Sequence, residues 1–303
     1  MYHDTVLLQN IINELEIKEK GVYVDTTLGG GSVSFEILNR LKGGNLISLD
    51  IDTDAINNFK LEFEKKYSKK FISNSMTLES NTITLVNENF SKLKEIILNL
   101  GKEKLKINGI IYDLGVSSFQ IDNPKKGFSY MSDSDLDMRM DKRLKVTARD
   151  LLNGMYEKEL SSMFERYSEE PFSKDIARNI VKFRKTKSIE RSSDLVSIVK
   201  RSIRGQAYLY HHVSRIFQAL RIKVNNELGV LSDSLLLLPD ILESGGRVVF
   251  LTYHSGEDRI VKNYFLHNDN FISLYKKPVT PSDEEISKNR RARSAKMRVY
   301  EKK

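Results

Sequence analysis

The run Val22-Tyr-Val-Asp25-Thr-Thr-Leu-Gly29-Gly30-Gly31 limits the fold more than any other part of this chain. An apolar strand ends on a carboxylate and turns through three glycines. Leu46-Ile-Ser-Leu-Asp50 repeats the strand-then-acid pattern 25 positions later, with room for one short helix between. Glycine lets a backbone approach a ligand where any Cβ would clash. An acid ending the second strand suits a ribose, because a carboxylate accepts hydrogen bonds from both vicinal hydroxyls. In an open α/β sheet, ligands bind at the carboxyl ends of the strands. The pattern predicts an adenosine-bearing cofactor. Its glycines are contiguous, unlike the dinucleotide fingerprint Gly-x-Gly-x-x-Gly, and none follows until Gly43. Asp25 is a poor neighbour for a pyrophosphate and a better one for a cationic sulfonium with an α-amino group. S-adenosylmethionine is therefore favoured over NAD, with a ligand-free glycine turn as the bland alternative.

The spacing of Val6, Leu7, Leu8, Ile11, Ile12 and Leu15 predicts an opening amphipathic helix. Strands are expected at about 21–26, 45–50, 82–86 and 107–112, the last followed by Asp113. Helices are expected over Asp54–Lys66 and Ser91–Leu100, with Ser68–Thr82 as a polar loop or extension. Strands alternating with helices imply a parallel sheet. From Ile121 to His212 no buried strand is legible, and helical stretches fall at Glu157–Tyr167, Phe172–Phe183 and Ser192–Arg204. A long helix is expected over Ser214–Leu238. A strong strand then resumes the sheet at Gly246–Tyr253, and Phe271–Tyr275 and Lys296–Tyr300 are candidates for a final pair.

Composition removes several function classes. There is no cysteine, so disulfides and thiolate metal sites are excluded, and the five histidines show no zinc-like spacing. Met1–Asp4 lacks a signal-like start, and no apolar run approaches the roughly 18 residues of a membrane span. A cytoplasmic protein with no membrane partner is expected. The formal charge is +8, and Lys288–Lys303 alone holds eight Lys or Arg against one acid. Such a segment is either an electrostatic footprint for phosphate or a solvated terminus.

Three further segments concentrate polar groups beside glycine: Asp113-Leu-Gly-Val-Ser-Ser-Phe-Gln120; Gly127-Phe-Ser-Tyr130 with Leu136-Asp-Met-Arg-Met-Asp141; and His254-Ser-Gly-Glu-Asp-Arg259. With Val6-Leu-Leu, Phe217-Gln-Ala-Leu-Arg-Ile, Asn225-Asn-Glu-Leu and Asn289-Arg-Arg-Ala-Arg-Ser-Ala, their order and spacing resemble the bacterial ribosomal RNA small subunit methyltransferase H family, also called MraW. The resemblance spans nearly the whole chain. It implies an α/β, Rossmann-like methyltransferase sheet with an inserted helical subdomain. The methyltransferase domain would be discontinuous, 1–120 and 213–303, and residues 121–212 would form the substrate-recognition insert.

The activity implied is S-adenosyl-L-methionine-dependent methylation of N4 of a cytidine in the decoding region of small-subunit (16S) rRNA. The partner is that rRNA or the small ribosomal subunit, and a homodimer is compatible with it. Cofactor contacts carried over by position fall on Gly29, Gly30, Gly31, Ser32 and Val33, then Asp50, Phe90, Asp113 and Gln120. Arg290, Arg291 and Arg293 are expected to hold RNA phosphates. No base is identified; Asp113 and His254 are candidates, and a histidine at a strand end such as His254 is more often a hydrogen-bonded structural residue than a base. Asp137 and Asp141 flank Arg139 and read either as substrate-facing acids or as an ion-pair knot, while Asp258 and Arg259 are expected to cap the next helix.

Ser32-Val33 stands where the family usually has Gly-His, His254-Ser-Gly replaces His-Ser-Leu, His212 replaces a common proline, and Arg290 replaces the proline of Asn-Pro-Arg. The altered Ser32-Val33 loop suggests one alternative, a non-catalytic or weakly active RNA-binding relative; a second, independent of these departures, is a methyltransferase of the same fold acting on protein or a small molecule.

Overall fold

The computed structural model describes residues 5–101, 106–203 and 208–303; Met1–Asp4 and Arg204, the expected end of one helix, lie outside them. The chain divides into two compact units, residues 2–115 with 228–303, and residues 116–227.

The first unit is built on one eight-stranded sheet. Its strands are β1 (Val22–Asp25), β2 (Asn45–Leu49), β3 (Ser75–Leu78), β4 (Asn81–Val86), β5 (Ile107–Asp113), β6 (Leu242–Thr252), β7 (Phe271–Ser273) and β8 (Lys296–Lys302). Their order is β3-β4-β2-β1-β5-β6-β8-β7, with the five central strands parallel and the pairs β3–β4, β6–β8 and β8–β7 antiparallel. The sequence reading left β3 inside a polar loop. Two of its four side chains, Ser75 and Thr77, are exposed and only Leu78 is buried, and its pairing with β4, rather than an apolar run, holds it as an edge. From β1 the chain moves outward through β2 to β4, then returns to the other side of β1 as β5. The carboxyl ends of β1 and β5 therefore border the switch point, where such sheets bind ligands.

Strand side chains alternate between faces. Tyr23, Leu46, Ile111, Val249 and Leu251 join one buried cluster, while Val24, Ile47, Ile110, Tyr112, Val248 and Phe250 join another. Helices α1 (Leu8–Glu14), α2 (Ser32–Leu38) and α3 (Thr53–Tyr67) contribute to the first cluster, and α4 (Leu93–Asn99) to the second.

The second unit is helical: α5 (Ser118–Asp122), α6 (Ala148–Gly154), α7 (Glu157–Ser168), α8 (Ser173–Arg184), α9 (Ser192–Ser202) and α10 (Leu209–Asn225). Its core includes Phe164, Ile180, Leu195, Ile216 and Leu220, all fully buried. The expected boundary at His212 falls inside α10, whose apolar face packs on α7 and α9. The single helix expected over Ser214–Leu238 is broken. Asn226 takes a left-handed φ of 50°, and the side chain of Asn225 accepts from Met140 N and donates to the carbonyls of Met138 and Arg221. The chain continues as α11 (Glu227–Leu235), α12 (Leu238–Ile241), α13 (Ser255–Leu266) and α14 (Asp283–Lys288). Among the described residues, no helix is long and apolar enough to cross a membrane.

Candidate active site

The glycine loop stays tied to both neighbouring strands as it leaves β1. Thr26 N donates to Ile111 O, Leu28 N donates to Leu49 O, and Thr27 Oγ1 accepts from Asp113 N at 2.8 Å. Gly29 (φ 48°) and Gly31 (φ 83°) hold left-handed conformations, and Gly31 opens α2 as its N-cap. A Cβ on Gly31 would sit 2.5 Å from the Phe59 ring, so packing and backbone both require glycine there.

Three carboxylates stand at neighbouring strand ends. Asp25 is 1% exposed; its Oδ2 accepts from Ser34 Oγ at 2.6 Å and its Oδ1 from Thr27 N at 3.2 Å. Asp50 closes the loop from β2: Oδ2 accepts from Gly29 N and Oδ1 from Asp52 N, each at 2.8 Å. Asp113 Oδ1 accepts from the phenol of Tyr253 at 2.9 Å, and Thr5 also hydrogen-bonds its carboxyl. Burial pushes Asp25 up to about 6, and Asp50 and Asp113 up to about 7, opposed by these hydrogen bonds. Among the described residues, no lysine or arginine pairs with any of the three. Clustered acids without a counter-cation fit a ligand that brings positive charge. They do not fit a pyrophosphate.

Phe90 follows β4 on a short 3-10 turn (Phe90–Lys92). It is half-buried and meets Tyr112 edge-to-face at 5.4 Å, which leaves it able to wall a flat ring. Ser32 is half-buried in the first turn of α2, whereas Val33 is 4% exposed and belongs to the apolar core. Gln120 lies in the helical unit. It forms a capping box with Ser117, whose N–H donates to Gln120 Oε1 at 3.0 Å.

The structure places His254 at a helix cap and Tyr253 beside Asp113. His254 is the N-cap of α13: Nδ1 accepts from Gly256 N and Glu257 N at 3.2 and 3.4 Å, so the imidazole, not Asp258 or Arg259, begins the helix. Asp258 instead binds Arg298 at 2.7 Å and Lys296 at 3.5 Å. Tyr253, absent from the expected site, extends β6 toward Asp113. Burial and the adjacent carboxylate hold its phenol well above the ordinary range, so it remains a donor at any working pH. The one signal in the sequence was its place directly before His254.

Elsewhere several polar side chains are tied into the fold. Arg139 forks onto Asp137 at 2.7 and 2.8 Å and donates to Leu144 O, an ion-pair knot. In the basic terminal segment, Lys288 pairs with Glu284, Lys302 donates to the carbonyls of Pro239 and Leu242, and Lys296 and Arg298 hold Asp258. Arg290, Arg291 and Arg293 are exposed on a 3-10 turn, Arg290–Ser294, whose Ala292 is buried.

The model of the MraW methylase family matches residues 1–303. The chain is 40% identical to ribosomal RNA small subunit methyltransferase H 2 from Agathobacter rectalis, across 99% of this chain and 98% of that one. Its structure is similar to that of an rRNA methylase from Streptococcus thermophilus, with a TM-score of 0.44 at 10% identity, covering 97% of this chain and 93% of that one.

Proposed function

Because the chain belongs to the MraW methylase family and is a methyltransferase that uses S-adenosylmethionine, we propose that it methylates the exocyclic N4 of a cytidine in the decoding region of small-subunit rRNA, in the cytoplasm. The observation that carries the reading is the trio Asp25, Asp50 and Asp113 around the glycine loop. Bound there, the cofactor would supply an electrophilic methyl on a sulfonium. Gly29, Gly30, Gly31 and Ser32 would lie along it with their backbone, Asp50 would hold the ribose and Phe90 would wall the adenine. Asp50 already accepts two backbone amides, yet a carboxylate has about four acceptor sites, so two remain for hydroxyls.

The cytosine amine is a weak nucleophile, because its lone pair is delocalised into the ring. Holding it aligned with the methyl can supply much of the acceleration. The amine must then lose a proton. Asp113, brought to about 7 by burial and held by Tyr253, suits an acceptor at neutral pH. His254 spends Nδ1 on the helix cap, which favours Asp113 of the two candidates. A base inside a duplex is out of reach, so the cytidine must be unpaired or flipped. Exposed Arg290, Arg291 and Arg293 would hold flanking phosphates.

Burial of Val33 in the core weakens the alternative of a non-catalytic relative, since the departure at that position is absorbed by apolar packing. The test is transfer of a labelled methyl group from S-adenosylmethionine to small-subunit rRNA, to assembled small subunits, or to protein. Label in RNA supports the reading. Label in protein alone, or in neither, overturns it.

A further inference from the structure

The segment Gly127-Phe-Ser-Tyr130 is only partly consumed by the fold. Gly127 (φ 73°) lies against a neighbouring strand of backbone, where a Cβ would be 2.2 Å from Asp135 O, and Phe128 enters the core. Tyr130 is half-buried and packs against the edge of that core. Its ring meets Phe217 of α10 edge-to-face at 5.3 Å and stacks with Tyr210 at 6.4 Å and 26°. Phe217 is 4% exposed and Tyr210 59% exposed, so the three rings climb from the core to the surface. Met131, next in sequence to Tyr130, and Tyr208, two residues before Tyr210, are exposed by 76% and 80%. Tyr208 holds a left-handed φ of 69° while its carbonyl accepts from His211 N at 2.8 Å, so the first turn of α10 presents it outward.

The unit that carries these rings is strongly basic. Residues 116–227 hold 22 Lys or Arg against 15 Asp or Glu, a net +7 of the chain's +8. Helix α9, which packs on α10, ends with Lys200 and Arg201 exposed. A polyanion is the partner such a charge attracts. Rings that are rigidly backed yet open on one face stack on any nucleobase.

We propose that Tyr130 and Tyr210, with Tyr208 beside them, form a stacking platform for unpaired bases of RNA, with Tyr210 as its outer face. The proposal rests on the RNA reading above and deepens it: the basic unit grips the strand, and the ladder stacks on its unpaired bases. Stacking needs no base-specific hydrogen bond, so the platform secures unpaired RNA without choosing the sequence.

The test is equilibrium binding of a single-stranded RNA oligonucleotide to the full chain across a range of salt. Tyr210→Ala should weaken binding roughly 5- to 150-fold. The slope of log affinity against log salt should stay as in the parent, because no phosphate contact is lost. Tyr210→Phe should bind like the parent, and Tyr208→Ala should give a smaller loss. Unchanged thermal melting and cofactor titration establish that the exposed substitutions leave the fold intact. Four results overturn the platform: a parent chain that does not bind single-stranded RNA, a Tyr210→Ala variant that binds equally well, a Tyr210→Phe variant as weak as Tyr210→Ala, or a loss accompanied by a flatter salt slope. Methyl transfer to rRNA by the parent chain is measured separately, so failure of the platform and failure of the rRNA reading give different results.

Discussion

Replacing Tyr253 with Phe removes one atom from the candidate site, the hydroxyl 2.9 Å from Asp113 Oδ1. The phenol favours the ionised carboxylate, and burial opposes it. A hydrogen bond to a charged group contributes about 1.5–3 kcal/mol. Its loss should raise Asp113 by roughly one to two pH units from its position near 7. At pH about 7.5 the ionised fraction would fall from about three quarters to between roughly a quarter and a thirtieth. Methyl transfer should drop roughly 3- to 25-fold and recover as the pH rises past about 9. The direction follows from linkage. Asp25, Asp50 and Asp113 are all raised above the unfolded value of 3.8, so the native chain holds protons that the unfolded chain has released between about pH 4 and 7. Stability without cofactor should fall as pH rises through that window, while affinity for a cationic ligand rises. The assay is a pH–rate profile of parent and variant, with thermal melts as a control. A loss of equal size at every pH, or profiles that superimpose, would refute the assignment of Tyr253 as the group that sets Asp113.

Asp50→Ala should weaken S-adenosylmethionine binding by roughly 10- to 150-fold in a calorimetric titration. It should also speed amide exchange at Gly29 and Asp52, whose N–H groups lose their acceptor; an unchanged dissociation constant removes Asp50 from the site. Neutralising Arg290, Arg291 and Arg293 together should flatten the salt dependence of RNA binding by roughly 0.7–0.9 per lost phosphate contact and leave cofactor affinity unchanged. An unaltered slope would make that turn a structural terminus. Ser32→Gly with Val33→His should tighten cofactor binding by no more than about tenfold and lower the melting temperature, because the imidazole enters an apolar cluster at a cost of about 1–3 kcal/mol. Strong binding only in that double variant would show that Ser32 occludes the loop.

Much of the site's frame was legible because strand, acid and glycine are local signals. Asp25, Asp50 and Asp113 all end or follow strands whose apolar runs are unmistakable, and the helical run after Gln120 lacks strand patterning. What sequence could not carry was contact across the fold. Tyr253 acquires its role only when β6 is set beside β5 in register, Asp113 opposite Leu251. His254 took the cap expected of Asp258 for the same reason: the cap depends on backbone direction at the strand end, and Asp258 is claimed by Arg298 forty residues away. The basic terminal segment read as one charge run, yet β8 turns part of it into structural pairs. The break at Asn226 was hidden by apolar periodicity that continues on both sides of it. Charge counted along the chain also missed the helical unit, where the excess is spread over 112 residues instead of gathered in a run.

The central claim is a reaction on one nucleobase, and mass mapping of methylated nucleosides tests it most directly. Small-subunit rRNA lacking the modification would be incubated with the protein and S-adenosylmethionine, then digested and mapped. The account predicts N4-methylated cytidine at one position in the decoding region, absent when the protein or the methyl donor is omitted. A methyl group on another base, on a ribose, at scattered positions or nowhere in the RNA would contradict it.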